Sequence, residues 1–116
     1  TIADKAGTGP VTLTKQSAAK AWINFDGTTS GTTIRDSFNV SSNLDNATGD
    51  YTTTFTNAMG NANFSANSFA GTGTVTAQSA PQSLQGIATS SIRTLTYTTS
   101  SFDRTYTMNQ VHGDLA

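Results

Sequence analysis

Few residues in this 116-residue chain could do chemistry, and those few fall into four groups. His112 is the single histidine. A Ser–His–Asp relay built on it would need Asp114 or Asp103 as the orienting acid. No G-x-S-x-G segment precedes it, and it stands four residues from the last residue. It reads more simply as a terminal side chain outside any relay. Asp26 and Asp36 end up near each other if the segments around them form a hairpin, as the two acids of a glycoside hydrolase must. Lys20 and Arg35 lie alongside, so the more economical reading is a structural ion pair, with Asp36 against Arg35 or Lys20 buried or at an interface. Asn43, Asp45, Asn46 and Asp50 form an oxygen-rich stretch of the kind calcium favours. Its spacing does not complete a calcium loop, and Asx residues of this type more often close turns on the backbone. Trp22, the only tryptophan, could stack on a sugar ring. In mid-strand between Ala21 and Ile23 it is expected to pack against a second sheet or a second subunit, together with Ile23 and Phe25. No catalytic residue, metal site or cofactor is expected.

The elements that must position these groups are strands. Lys20 to Asp26 alternates, with Ala21, Ile23 and Phe25 on one face and Lys20, Trp22 and Asn24 on the other. Gly27 to Thr32 then turns the chain, and Thr33 to Ser41 is expected as one long strand with Ile34, Asp36, Phe38 and Val40 on one face. An Asp among apolar neighbours calls for a cation or for a bulge that re-aims it. Ser42 to Gly49 reads as a loop. Asp50 to Asn57 is a strand with Tyr51, Thr53 and Phe55 inward. Ala62 to Ala70, Thr74 to Ala77, Ile87 to Thr98 (one strand or two) and Asp103 to Val111 complete the set after a first strand at Val11 to Lys15. Gln78 to Gly86, around Pro81, reads as the longest loop. About eight strands at regular spacing, with no helical stripe, predict an all-β antiparallel sandwich over residues 11–116, entered by a Gly-rich linker or arm at residues 1–10.

Composition narrows the partners. Only 34% of the residues are hydrophobic and 11% charged, and all seven acids are Asp. A core this thin in so short a chain favours completion by other subunits. Lys and Arg are scattered singly, so nucleic-acid binding is not expected. No apolar run approaches the length of a membrane-spanning helix, and membrane insertion is not expected. Cysteine is absent, so no disulfide can staple the fold. The first residue is Thr rather than Met, which suggests a piece or processed product of a longer chain.

Lys15-Gln16-Ser17-Ala18-Ala19-Lys20-Ala21-Trp22, Asn24-Phe25-Asp26-Gly27-Thr28, Ile34 to Ser42, Asp45, Gly49-Asp50-Tyr51 and Phe55 to Met59 together resemble the C-terminal segment of bacteriophage tail fibre proteins, particularly those of short-tailed phages of aquatic bacteria. The likeness covers residues 9–65, and Gly60 stands where the pattern would have Pro. It implies the distal domain of a homotrimeric fibre on the virion that binds host surface polysaccharide or lipopolysaccharide. No catalytic residue travels with it. A purely structural trimerising cap and a polysaccharide hydrolase are the alternatives. If the chain enters from a shaft, the connections after odd-numbered strands lie at the far end. These would be Ser42–Asp50 and Thr99–Arg104, giving Asn43, Asp45, Asn46, Asp50, Ser100, Ser101, Phe102 and Arg104 as receptor-contact candidates. A shift of one strand would move the contact to Gly27–Thr32, Met59–Ala62 and Gln78–Gly86.

Overall fold

The computed structural model describes residues 18–72, 82–97, 101 and 103–116. Those residues form eight strands: β1 (Ala21–Asp26), β2 (Thr33–Phe38), β3 (Val40–Ala47), β4 (Asp50–Phe55), β5 (Ser65–Gly71), β6 (Gln82–Ala88), β7 (Ser91–Thr96) and β8 (Tyr106–His112). They make two antiparallel four-stranded sheets, ordered β2-β1-β8-β5 and β3-β4-β7-β6, packed as a β-sandwich. The expected strands at 11–15 and 74–77 and the arm at 1–10 lie outside the described residues.

Alternation sets the central strands. Ala21, Ile23 and Phe25 of β1 face Tyr51 and Phe55 of β4 across the interior, and all five are buried. The core divides into two apolar clusters. One holds Ala21, Phe55, Met59, Ile92 and Val111; the other holds Ile23, Phe25 and Tyr51, with Val40 against it. Phe25 and Tyr51 meet edge to face, with ring centroids 4.9 Å apart.

A polar belt runs between the sheets. Asn43 Nδ2 donates to Thr32 Oγ1, Thr53 Oγ1 donates to Asn43 Oδ1 at 2.8 Å, and Asn109 Nδ2 donates to Thr53 Oγ1 at 3.3 Å. Ser68 Oγ lies 2.5 Å from Asn109 Oδ1 and 2.6 Å from Gln82 Oε1, and Gln82 Nε2 donates to Thr96 Oγ1 at 2.7 Å. The belt explains how so few apolar residues close a sandwich: buried and half-buried hydroxyls and amides fill the space between the sheets by bonding one another.

Two hydroxyls stand apart from it. Thr94 and Thr107 are fully buried, and their Oγ1 atoms have no hydrogen-bond partner among the described residues. A buried hydroxyl left unbonded costs about 1–3 kcal/mol, and valine has nearly the same shape. Thr94→Val and Thr107→Val should therefore each raise stability by about 1 kcal/mol, read as a higher urea midpoint at unchanged slope.

Four sequence expectations change. The long strand at 33–41 is broken at Asn39, whose φ of 55° turns the chain out of one sheet and into the other. The loop at 42–49 is β3 through Ala47, so the connection shrinks to Thr48 and Gly49. Gln82 to Gly86 is strand rather than loop. The Asp36 conflict resolves through a bulge. Asn24 pairs with Asp36 but Phe25 pairs with Ile34, which leaves Arg35 as the extra residue. Ile34 then lies on the inner side, while Asp36 and Phe38, opposite Asn24 and Trp22, turn outward. Asp36 makes no ion pair with Arg35 or Lys20: it is exposed, and its carboxylate accepts from Ser37 N at 2.8 Å. Arg35 pairs with Asp26 instead, at 3.2 Å.

Candidate binding surfaces

The sandwich has two distinguishable poles. The chain reaches β1 at one of them, where Lys20 N donates to Val111 O. The same pole holds the Thr89–Ser90 turn and the last residues of the chain, bound through Gly60 N to Asp114 O and Ala116 N to Ala58 O. The connections after β1, β3 and β7 gather at the opposite pole. There Gly27 N donates to Arg104 O at 2.9 Å, and Gly49 N donates to Asp103 Oδ1 at 2.7 Å. Strand alternation thus places the far-end candidates at 48–50 and 103–104 together. It also adds Gly27–Thr32 to them, rather than setting that turn at the other end with Met59–Ala62.

Most polar groups of the far pole are engaged within the domain. Tyr51 Oη donates to Asp103 Oδ1 at 2.6 Å, and its phenol is pushed to a higher pKa by burial first and by Asp103 second. Asp26 accepts from Thr28 N and from Thr28 Oγ1 at its Oδ1. The Thr28 hydroxyl bond and then the Thr28 backbone bond hold its carboxyl below the usual range, and Arg35 adds to this. Arg35 also donates to Thr105 O at 2.7 Å and lies over the Tyr106 ring at 4.2 Å. Asp26 is therefore a turn-closing, ion-paired residue, which argues against an acid–base role with Asp36.

The predicted contact residues divide accordingly. Asn43 faces inward in the polar belt. Asp45 is half-buried on β3 opposite Tyr51. Asn46 is exposed but donates to Asp50 Oδ1 and Thr52 Oγ1. Asp50 binds Arg93 through both carboxylate oxygens, at 2.8 and 2.5 Å. These four do not make a calcium loop, because β3 and β4 hold them in an extended ladder. Ser101 forms a bridge with Tyr97, and Arg104 lends its carbonyl to Gly27. Ser100 and Phe102 lie outside the described residues. His112 ends β8 opposite Ser65. Among the described residues no three His, Cys, Asp or Glu side chains cluster as metal ligands, and no helix is long and apolar enough to cross a membrane.

The Asp50–Arg93 pair has a pH signature. The Arg93 hydrogen bonds lower the Asp50 pKa, against the opposing effect of burial and with help from Asn46. A carboxyl whose pKa is lowered on folding stabilises the fold above its unfolded value, near 3.8, and loses that contribution as pH falls through the lower folded value. Arg93 is half exposed, so the contribution is no more than about 1 kcal/mol. Asp50→Asn should lower stability by that amount at pH 6, and the difference from the parent should shrink toward pH 2 in acid titrations of the unfolding midpoint.

The outer face of the β2-β1-β8-β5 sheet is built differently. The register sets Phe38 beside Trp22, Trp22 beside Gln110 and Gln110 beside Asn67. One step along, Asn24 lies beside Met108 and Met108 beside Phe69. Large apolar side chains stay open to solvent here: Phe69 is 70% exposed, Phe38 52% and Met108 41%. A cavity of 330 Å³ lies among Trp22, Asn24, Asn67, Phe69, Met108 and Gln110. Ile23 and Phe25 pack between the sheets, whereas Trp22 faces outward into this cavity. Alternation placed Trp22 and Asn24 on one face. Their meeting with Phe69, Met108 and Gln110 depends on long-range strand pairing that no local pattern encodes.

No protein-family model, curated protein or solved structure matches the chain.

Proposed function

We propose that this domain is the receptor-binding tip of a bacteriophage tail fibre, assembled as a homotrimer, that attaches to host surface polysaccharide or lipopolysaccharide. The observation that carries this reading is the polarity of the fold. The chain enters β1 at one pole, and the turns at 27–32 and 48–49 lie at the other, beside Asp103 and Arg104. A module at the end of a shaft needs this arrangement, with one end for attachment and one for contact. The stretches that resemble tail fibres form β1 to β4, which supply a central strand and an edge strand to each sheet. Fold alone does not fix function, so the reading rests on the resemblance together with this polarity.

Two measurements test it. The full chain should sediment as a trimer at micromolar concentration. A fluorescently labelled sample should decorate some strains in a panel of aquatic bacteria, with periodate oxidation of the cell surface abolishing the signal. A monomer that decorates no strain would sink the proposal. A trimer that decorates none would favour the structural cap. One observation speaks for that second reading: the exposed Phe38, Phe69 and Met108 would suit burial against a neighbouring subunit.

A further inference from the structure

We infer that the cavity on the outer face of the β2-β1-β8-β5 sheet is a binding site for an uncharged pyranose unit, with Trp22 and Phe69 as apolar walls and Asn24, Asn67 and Gln110 as hydrogen-bonding groups. The inference rests on the attachment reading for the kind of ligand, a surface saccharide, and adds the place and the charge class.

None of the eight residues lining the cavity is ionisable. Arg35 reaches Asn24 Oδ1 at 3.5 Å, but it is also engaged by Asp26, by the Thr105 carbonyl and by the Tyr106 ring. Asp36, opposite Asn24 on the edge strand, accepts from its neighbour's backbone. Among the described residues no cation lines the cavity, so an uncharged ligand is favoured.

Asn67 and Gln110 make no side-chain hydrogen bond to another described residue, and they are register partners across β5 and β8. Each offers two N–H donors and a carbonyl acceptor. Covering them with an apolar protein surface would strand these groups, a penalty that the cores of subunit interfaces avoid. A sugar ring presents hydroxyls that both donate and accept around its edge and C–H groups on its faces. It can therefore meet primary amides and an aromatic wall at once. The volume falls at the small end of the usual range for small-molecule sites, about 300–1,000 Å³, which suits one ring rather than an extended chain. Two paired strands, β1 and β8, bear six of the eight lining residues, so the site is held by paired backbone rather than by a loop.

Trp22 makes the test direct, because the only tryptophan in the chain stands in the cavity. The full chain is titrated with methyl glycosides of glucose, galactose, mannose, rhamnose, N-acetylglucosamine and N-acetylgalactosamine, and with glucuronate, to about 50 mM, a range that captures millimolar affinities. The expected result is a saturable change in Trp22 fluorescence with at least one neutral glycoside, insensitive to added salt. Phe69→Ala and the double variant Asn67→Ala/Gln110→Ala keep the reporter and should melt within about 2–4 °C of the parent. Each should weaken the response by about tenfold or more. Silence of Trp22 toward every neutral glycoside overturns the inference, as does a response to glucuronate alone. A fluorescence change that follows protein concentration, with a matching rise in solution mass, also overturns it by assigning the face to a second copy. The two readings separate cleanly. Cell decoration with a silent Trp22 sinks this inference and leaves attachment standing. A saccharide response without cell decoration does the reverse.

Discussion

Asn39→Ala is expected to destabilise the domain by about 3 kcal/mol, more than most exposed or half-buried positions would. Asn39 stands between β2 and β3, where the chain leaves one sheet for the other. Its φ of 55° lies in the left-handed region, which asparagine tolerates better than other residues with a Cβ. Its side chain then ties three backbone groups together. Nδ2 donates to Lys20 O at 2.9 Å and to Asn57 O at 3.1 Å, and Oδ1 accepts from Asn57 N at 2.7 Å. Its own carbonyl accepts from Thr56 N at 3.1 Å, a bond that alanine would keep. Alanine loses the three side-chain bonds, at about 0.5–1.5 kcal/mol each, and adds about 1 kcal/mol of left-handed strain. Glycine would remove the strain but not restore the bonds, so Asn39→Gly should fall about 1 kcal/mol short of the alanine loss. Urea unfolding of the three proteins decides it. Equal midpoints for Asn39→Ala and the parent would mean that the corner is held by the sheets and not by this side chain.

The same residue marks the limit of what the sequence discloses. Strict alternation made the faces of β1 and β4 legible, because both strands are central and each inward position is filled by a residue buried between the sheets. The Asp36 conflict was visible, but the sequence left a cation and a bulge both open, and the ion pair favoured there gave way to the bulge. Alternation also continues from Phe38 to Val40, so one left-handed residue between them leaves no trace in the pattern. β3 and β6 escaped for another reason. Both are edge strands, and their inward positions include Asn43 and Gln82, which bond to the polar belt instead of entering an apolar cluster. Ser, Asn and Gln in such positions look like turn chemistry until the partners across the sandwich are known. The outer-face cavity needed still more distant information. Trp22 meets Gln110, and Met108 meets Phe69, only after β1, β8 and β5 have paired.

Gly27→Ala should cost about 2–3 kcal/mol in the parent and distinctly less in a Tyr51→Phe background. A Cβ at Gly27 would fall on the Tyr51 hydroxyl, and would lie 2.9 Å from Tyr51 Cζ and 3.1 Å from the Arg104 carbonyl oxygen. Tyr51 cannot swing away cheaply. It is fully buried, its ring packs on Phe25, and its hydroxyl donates to Asp103 Oδ1, with Gly27 O a further acceptor at 3.3 Å. The new methyl group must therefore break the Tyr51–Asp103 bond or push Gly27 N away from Arg104 O. Either change loosens the knot joining the turns after β1, β3 and β7. Tyr51→Phe alone removes the donor to Asp103 and should cost about 1–3 kcal/mol, since Asp103 keeps its bond from Gly49 N. With the hydroxyl gone, the closest obstacle to the methyl group disappears, so the double variant should be more stable than the sum of the single losses implies by about 1 kcal/mol or more. Strict additivity would show that the collision is absorbed elsewhere. Alkaline titration gives an independent readout. The Tyr51 pKa is raised on folding, so its contribution is complete below the unfolded value, near 10, and declines as pH rises beyond it while the unfolded chain ionises first. The parent should lose stability above pH 10 more steeply than Tyr51→Phe, because the variant has no phenol at this position to ionise.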